Sequence, residues 1–144
     1  MAAVVLQAGP SRDAAASMLE ANGLPADDLT DAHMRHYFYA GPANDPQGLV
    51  GVEILGIDAL LRSLAVAAEL RTTGLGCALV QRAEAHAQEQ GVRSMYLLTT
   101  TAEHFFTRRG YAKLERAKAP AGIRATREFA GLCPASSIFM FKRL

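Results

Sequence analysis

The chain has no tryptophan and only two cysteines among its 144 residues. Cys77 and Cys133 lie far apart in sequence. Alone, they fit neither a zinc cluster nor a disulfide framework. No metal is expected, and a reducing cytoplasm is the expected compartment. An excess of one charge is also missing: 15 Lys and Arg stand against 14 Asp and Glu, a formal net charge of +1. A nucleic-acid binder normally shows a clustered basic excess, so that class of partner is excluded. No apolar run approaches the roughly 20 residues of a spanning helix, so no membrane partner is expected. The opening MAAVVLQAGPSRD has neither a basic start nor a long apolar stretch, and does not read as a secretory signal. What the chain does have is apolar content, half of its residues. That is enough for one core, and a single domain over residues 1–144 is expected.

Turn residues divide the apolar stretches. Residues 3–7 read as a short strand. Ser11 is a good N-cap for a helix running to about Asn22, which Gly23 would end. Residues 24–35 read as a loop with a short helical turn. Strands are expected over 36–40, 48–55 and 59–66, with Gly-Pro-Ala-Asn-Asp-Pro turning between the first two. A helix follows from about Gly74 to Gln90 and stops at Gly91. Residues 94–98 form a buried strand. Thr100 and Glu103 fit a capping box for the next helix, which Gly110 ends. Residues 111–117 are expected as a strand, 120–129 as a short helix, and 137–142 as the closing strand. This order implies an α/β fold, a mixed central sheet of about six to seven strands with helices on both faces.

The most informative stretch is LRSLAVAAELRTTGLGCALVQ, residues 61–81. An apolar strand leads through a short loop into Arg-Thr-Thr-Gly-Leu-Gly at a helix start. Unpaired N–H groups converge there, and the helix dipole favours negative charge. Gly74 and Gly76 let a ligand approach the backbone, and Arg71 adds a cation. The physical reading is a pyrophosphate cradle. It is not a P-loop, which needs Gly-Lys-Ser/Thr, nor the dinucleotide fingerprint, whose third glycine is replaced by Leu79. A second unit, SMYLLTTTAEHFFTRRGY, follows. Together the two resemble the acetyl-CoA motif and the second motif of the GNAT superfamily of N-acetyltransferases.

That resemblance implies several things. The parallel strands holding 61–66 and 95–99 splay apart, forming the acetyl-CoA cleft. Leu64, Ala65 and Val66 hold the pantetheine arm of the cosubstrate, and a backbone N–H near Val66 donates to the developing oxyanion. The cradle is Arg71, Thr72, Thr73, Gly74, Leu75 and Gly76. The acetyl group passes directly to the acceptor amine in a ternary complex. Amines carry pKa values of about 8 to 10.4, so a proton acceptor is useful. Glu53, on an otherwise apolar strand, is the candidate base, with a solvent-facing role as the alternative. Many relatives carry a tyrosine four residues before the closing glycine as acid for the thiolate. Here that position is Phe106, which borders the cofactor but donates no proton. Tyr96 and Thr99 are the candidate substitutes. Histidines 33, 36, 86 and 104 read as packing or surface residues.

With its C-terminal segment, the chain further resembles small arsenic-resistance-associated N-acetyltransferases, and its second motif is similar to that of N-acetylglutamate synthases. Both imply a small-molecule acceptor, an α-amino acid or a glutamate-like analogue bearing arsenic or phosphorus. Such an acceptor needs cations, and Arg62, Arg124 and Arg127 are the candidates. The alternatives are a non-catalytic acetyl-CoA-binding module and an enzyme acting on a peptide amine. The superfamily also allows a homodimer.

Overall fold

The computed structural model describes residues 5–144. In chain order the elements are β1 (Gln7–Ala8), α1 (Arg12–Ala21), a 3-10 turn (Asp31–His36), β2 (Tyr37–Ala40), β3 (Gly48–Leu55), β4 (Asp58–Val66), α2 (Leu75–Glu89), β5 (Ser94–Thr99), α3 (Glu103–Thr107), β6 (Ala112–Lys113), α4 (Ala121–Arg124) and β7 (Ile138–Arg143). They build a seven-stranded sheet in the order β1-β2-β3-β4-β5-β7-β6. β4 and β5 run parallel, and the other neighbouring pairs are antiparallel. This is the mixed α/β architecture expected from the order of elements.

Local chemistry accounts for the two longer helices. Ser11 accepts a hydrogen bond from the Ala14 N–H at 3.1 Å and starts α1. In α2, Leu75, Leu79, Val80, Ala83 and Ala87 recur at helical spacing and are all buried. They pack on one face of the sheet against Phe38, Val50, Val52, Leu61 and Leu97. The other face carries two smaller clusters. One joins α1 to Tyr37, Tyr39, Leu49 and Ala65. The other joins Leu60, Tyr96 and Phe139 to Ile123 of α4. Gly51 pairs with Tyr37, and a Cβ there would lie 2.2 Å from the Tyr37 ring. The ring occupies the space a side chain would need.

Four expectations need correction. Of the strand expected over 3–7, residues 3 and 4 lie outside the described residues, Val5 and Leu6 are not in a strand, and β1 begins at Gln7. The strand over 111–117 shrinks to Ala112–Lys113, followed by a 3-10 turn at Arg116–Lys118. β6 is an edge strand with one neighbour, and the chain soon turns away toward Pro120, which cannot donate to a ladder. The capping box also fails. Thr99, not Thr100, accepts from the Ala102 N–H at 3.0 Å, and Glu103 pairs with Lys113 at 3.0 Å. The late helix is shorter than expected as well: α4 stops at Arg124, and a separate wide turn covers Glu128–Leu132.

Candidate active site

The parallel pairing of β4 and β5 lasts only three residues, Asp58 with Ser94, Ala59 with Met95 and Leu60 with Tyr96. Beyond it the strands part. Leu61 to Leu64 then line one wall of a cleft, and Leu97 to Ala102 line the other. A bulge in β4 accompanies the parting. Between Gly51↔Arg62 and Leu49↔Ala65, β4 spends one residue more than β3. Ser63 takes the strain, with φ +62°. The extra residue turns Arg62 and Ser63 toward the same face, where the Tyr37 hydroxyl meets Ser63 Oγ at 2.7 Å and Arg62 Nε donates to that oxygen at 3.3 Å.

Past the bulge the strand resumes its alternation. The Ala67 N–H donates to the Gln47 carbonyl at 2.9 Å, toward β3. Successive N–H groups alternate sides, so those of Val66 and Leu64 face the open side, where no strand lies. The Val66 carbonyl accepts from Arg71 Nε at 3.2 Å, and Arg71 Nη2 donates to Asn22 at 3.2 Å. Arg71 is therefore held at the cradle while remaining exposed. Thr72 takes φ +70° and Gly74 φ +91°, which turn the loop into α2. No side chain caps α2. Its first N–H groups thus await an acceptor. A Cβ at Gly74 would meet nothing within 4 Å, so open space stands before the helix. Thr73 ties its hydroxyl to the Leu70 carbonyl at 2.5 Å. Leu75 is buried and contributes backbone only. Gly76 stands 3.4 Å, by its missing Cβ, from the Phe105 ring. An anionic, extended cosubstrate fits this combination of open strand edge and uncapped helix.

The opposite face of the cleft holds a cluster the sequence did not disclose. Arg62 is buried, and its guanidinium bonds both oxygens of Asp28, at 2.5 and 2.6 Å. Glu53 accepts from Nη1 at 2.6 Å, and Glu128 lies 3.3 Å from Nη2. Glu128 is 5 % exposed and lines the cleft. Burial pushes its carboxyl up to about 7; Arg62 opposes this, while Asp28 and Glu53 add to it. Asp28 goes the other way. Burial alone would raise it, but the hydrogen bonds and charge of Arg62 hold it below the usual carboxylate range. Cys133 also lines the cleft, and burial pushes its thiol up to about 12, so it stays neutral.

The remaining candidates divide. Thr99 and Phe106 line the cleft. Thr99 keeps its O–H to donate. Phe106 packs edge-on against Phe105 and Tyr111, at centroid distances of 5.1 and 5.6 Å. Glu53 sits behind Arg62, outside the cleft lining. Tyr96 belongs to the last paired position before the strands part, stacks on Phe139, and does not line the cleft. Arg62 lines it but is spent on carboxylates. Arg124 donates to the carbonyls of Ala119 and Ala117, and neither it nor the exposed Arg127 lines the cleft. The cluster around Glu128 was hidden because its members come from four separate segments. Glu128 itself falls near the end of the short helix expected over 120–129, where nothing in the sequence sets it apart from a solvated helix charge. His86, read as a packing residue, hydrogen-bonds His36 at 2.8 Å beneath the sheet. Among the described residues no group of three or more His, Cys, Asp or Glu side chains is placed to hold a metal. No helix there is long and apolar enough to cross a membrane.

Comparison with known proteins agrees with this geometry. The acetyltransferase (GNAT) domain family matches residues 33–113. An uncharacterised N-acetyltransferase of Chlorobaculum tepidum is 36 % identical over 92 residues, covering 63 % of this chain and 59 % of that protein. An amino-acid acetyltransferase of Pseudomonas putida is 38 % identical over 61 residues, covering 42 % of this chain but 14 % of that protein. The N-acetylglutamate synthase of Neisseria gonorrhoeae, solved with coenzyme A and N-acetylglutamate, superimposes with a TM-score of 0.82 at 18 % identity, over 100 % of this chain and 36 % of that one. The chain thus spans less than two thirds of each of these proteins, and the last likeness speaks for the fold alone. With more than half of its residues inside the family match, around an open parallel pair and an uncapped helix, the chain belongs to the GNAT acetyltransferase family.

Proposed function

We propose that residues 1–144 act as one domain that transfers an acetyl group from acetyl-CoA to the amine of a small molecule, directly and in a ternary complex. The observation that carries this is the cleft that opens where β4 and β5 part. An open strand edge and an uncapped helix lie on one side of it, and a cleft-lining buried carboxylate lies on the other. Acetyl-CoA, when bound, supplies the activated acyl group. The α2 N-terminus, Thr72, Thr73 and Arg71 would hold its pyrophosphate, and the open edge of Leu64 to Val66 its pantetheine arm. The outward N–H of Val66 is the candidate donor to the acyl oxygen. Phe106 closes the cofactor side as an apolar wall.

Glu128, rather than Glu53, is the base this reading favours. It lines the cleft, and a carboxyl titrating near 7 is matched to taking a proton from an ammonium at neutral pH. Thr99 is the candidate proton donor to the departing thiolate. For the acceptor, the relatives named amino-acid acetyltransferases support a small α-amino acid. A glutamate-like analogue bearing arsenic or phosphorus is the finer reading, and what it lacks is a free cation in the cleft.

The test is free-thiol release from acetyl-CoA against a panel of amines. It would hold α-amino acids, their phosphinate and arsinate analogues, polyamines, an aminoglycoside and a lysine peptide. Amine-dependent release with a small molecule is expected. Tight acetyl-CoA binding without release for any amine would sink the reading in favour of a binding module.

A further inference from the structure

One carboxylate, Glu128, lines the acceptor side of the cleft, and two more, Asp28 and Glu53, lie behind it on Arg62. Among the described residues Arg62 is the sole cationic residue lining the cleft, and its side chain is completely covered. Its donors go to Asp28, Glu53 and Ser63, with Glu128 beside Nη2. One guanidinium thus faces three carboxylates, and the cluster stays negative even while Glu128 holds a proton. No other cation among the described residues relieves it from the walls. Arg116 donates to the carbonyls of Ser137 and Ala135, at 2.8 and 3.4 Å, and Arg124 to those of Ala119 and Ala117. Neither residue lines the cleft, nor does Arg127. The other polar side chains along it are neutral: Thr99, Thr100, Thr101, Ser137 and the Cys133 thiol.

We infer that the acceptor is an amine without net negative charge, a neutral zwitterionic amino acid or a cationic amine, and that acidic amino acids are poor acceptors. The inference rests on the reading of this cleft as the transfer site. An ammonium approaching Glu128 meets attraction from the cluster. A second carboxylate meets repulsion from the same charges, and finds no cation among the described lining residues to pair with.

Isosteric acid and amide acceptors provide the test, because they differ in charge and hardly in shape. The measurement is kcat/KM for thiol release with glutamate against glutamine and aspartate against asparagine. Each is taken at low and at high salt. The amide of each pair is expected to win by about tenfold or more at low salt, with the gap narrowing as salt rises. Activity confined to cationic amines supports the inference equally. Asp28→Asn removes one of the charges and is expected to shrink the gap; if that variant fails to fold, the salt series on the unaltered protein decides. Acids turned over as fast as their amides, or faster, would overturn the inference and leave an N-acetyltransferase standing. No release with any amine would remove the transfer reading, and the inference with it.

Discussion

At the scale of single residues, Glu128 is the group on which the chemistry turns. Replacing it with glutamine keeps its size and removes its base. We predict that Glu128→Gln lowers kcat/KM for the amine about a hundredfold or more. The rise in activity through pH about 7 should vanish with it, because the unprotonated carboxylate is the working form. Acetyl-CoA affinity, measured by calorimetry, should stay unchanged. A variant that retains the pH profile of the parent would return the role to Glu53 or to water. Little of this was legible in the sequence. Glu53 stood out because it interrupts an apolar strand, and it does join the right cluster. Arg62 is expected, with Arg124 and Arg127, as a cation for the substrate, whereas its donors go to Asp28 and Glu53, and Asp28 lies in a loop whose placement no periodicity reveals. Tyr96 was misjudged for a different reason. The strand was recognised, but the point at which two strands part is set by tertiary packing.

Among the elements, the junction of β4 with α2 was the most readable part of the molecule. A strand, a polar loop with two glycines and an amphipathic helix are all local signals, and each formed within a residue or two of its expected bounds. The bulge was not readable. Nothing about serine announces a left-handed conformation, and at Ser63 it is imposed by Tyr37, Arg62 and the register of β3. Gly74 is readable and demanding at once, since its φ of +91° is one that side chains adopt only under strain. Gly74→Val should therefore cost about 1–2 kcal/mol of stability and a larger share of acetyl-CoA affinity, because the branched side chain also fills the space before the helix. Thermal melts with and without the cosubstrate separate the two effects. A full ligand-induced shift in the variant would count against the cradle.

For the molecule as a whole, the buried cluster ties stability to pH. The Glu128 carboxyl is raised by burial above its usual 4.5. A raised acid favours the native state when protonated. That contribution is fully present below about pH 4.5 and is lost as pH rises through about 7, up to about 3 kcal/mol. Asp28 is lowered by Arg62 against the pull of burial, so its contribution runs the opposite way and is lost on acidification. The groups facing Glu128 here are Arg62, Asp28, Glu53 and the Cys133 thiol. Comparing the parent with Glu128→Gln isolates the first effect. The parent should lose stability relative to the variant between pH 5 and pH 8, as read from urea midpoints, and parallel curves would refute it. A further consequence follows from the sheet being joined across its middle by only three residue pairs. Four strands stand on one side of that seam and three on the other. Among the described residues no strand lies beside the N–H groups of Leu64 and Val66, which face the gap. In deuterated water the amides of Leu64 and Val66 should exchange their protons quickly in the free protein and slowly once that ligand is seated. The bound cosubstrate would then serve as an additional strand, and its departure would reopen the seam.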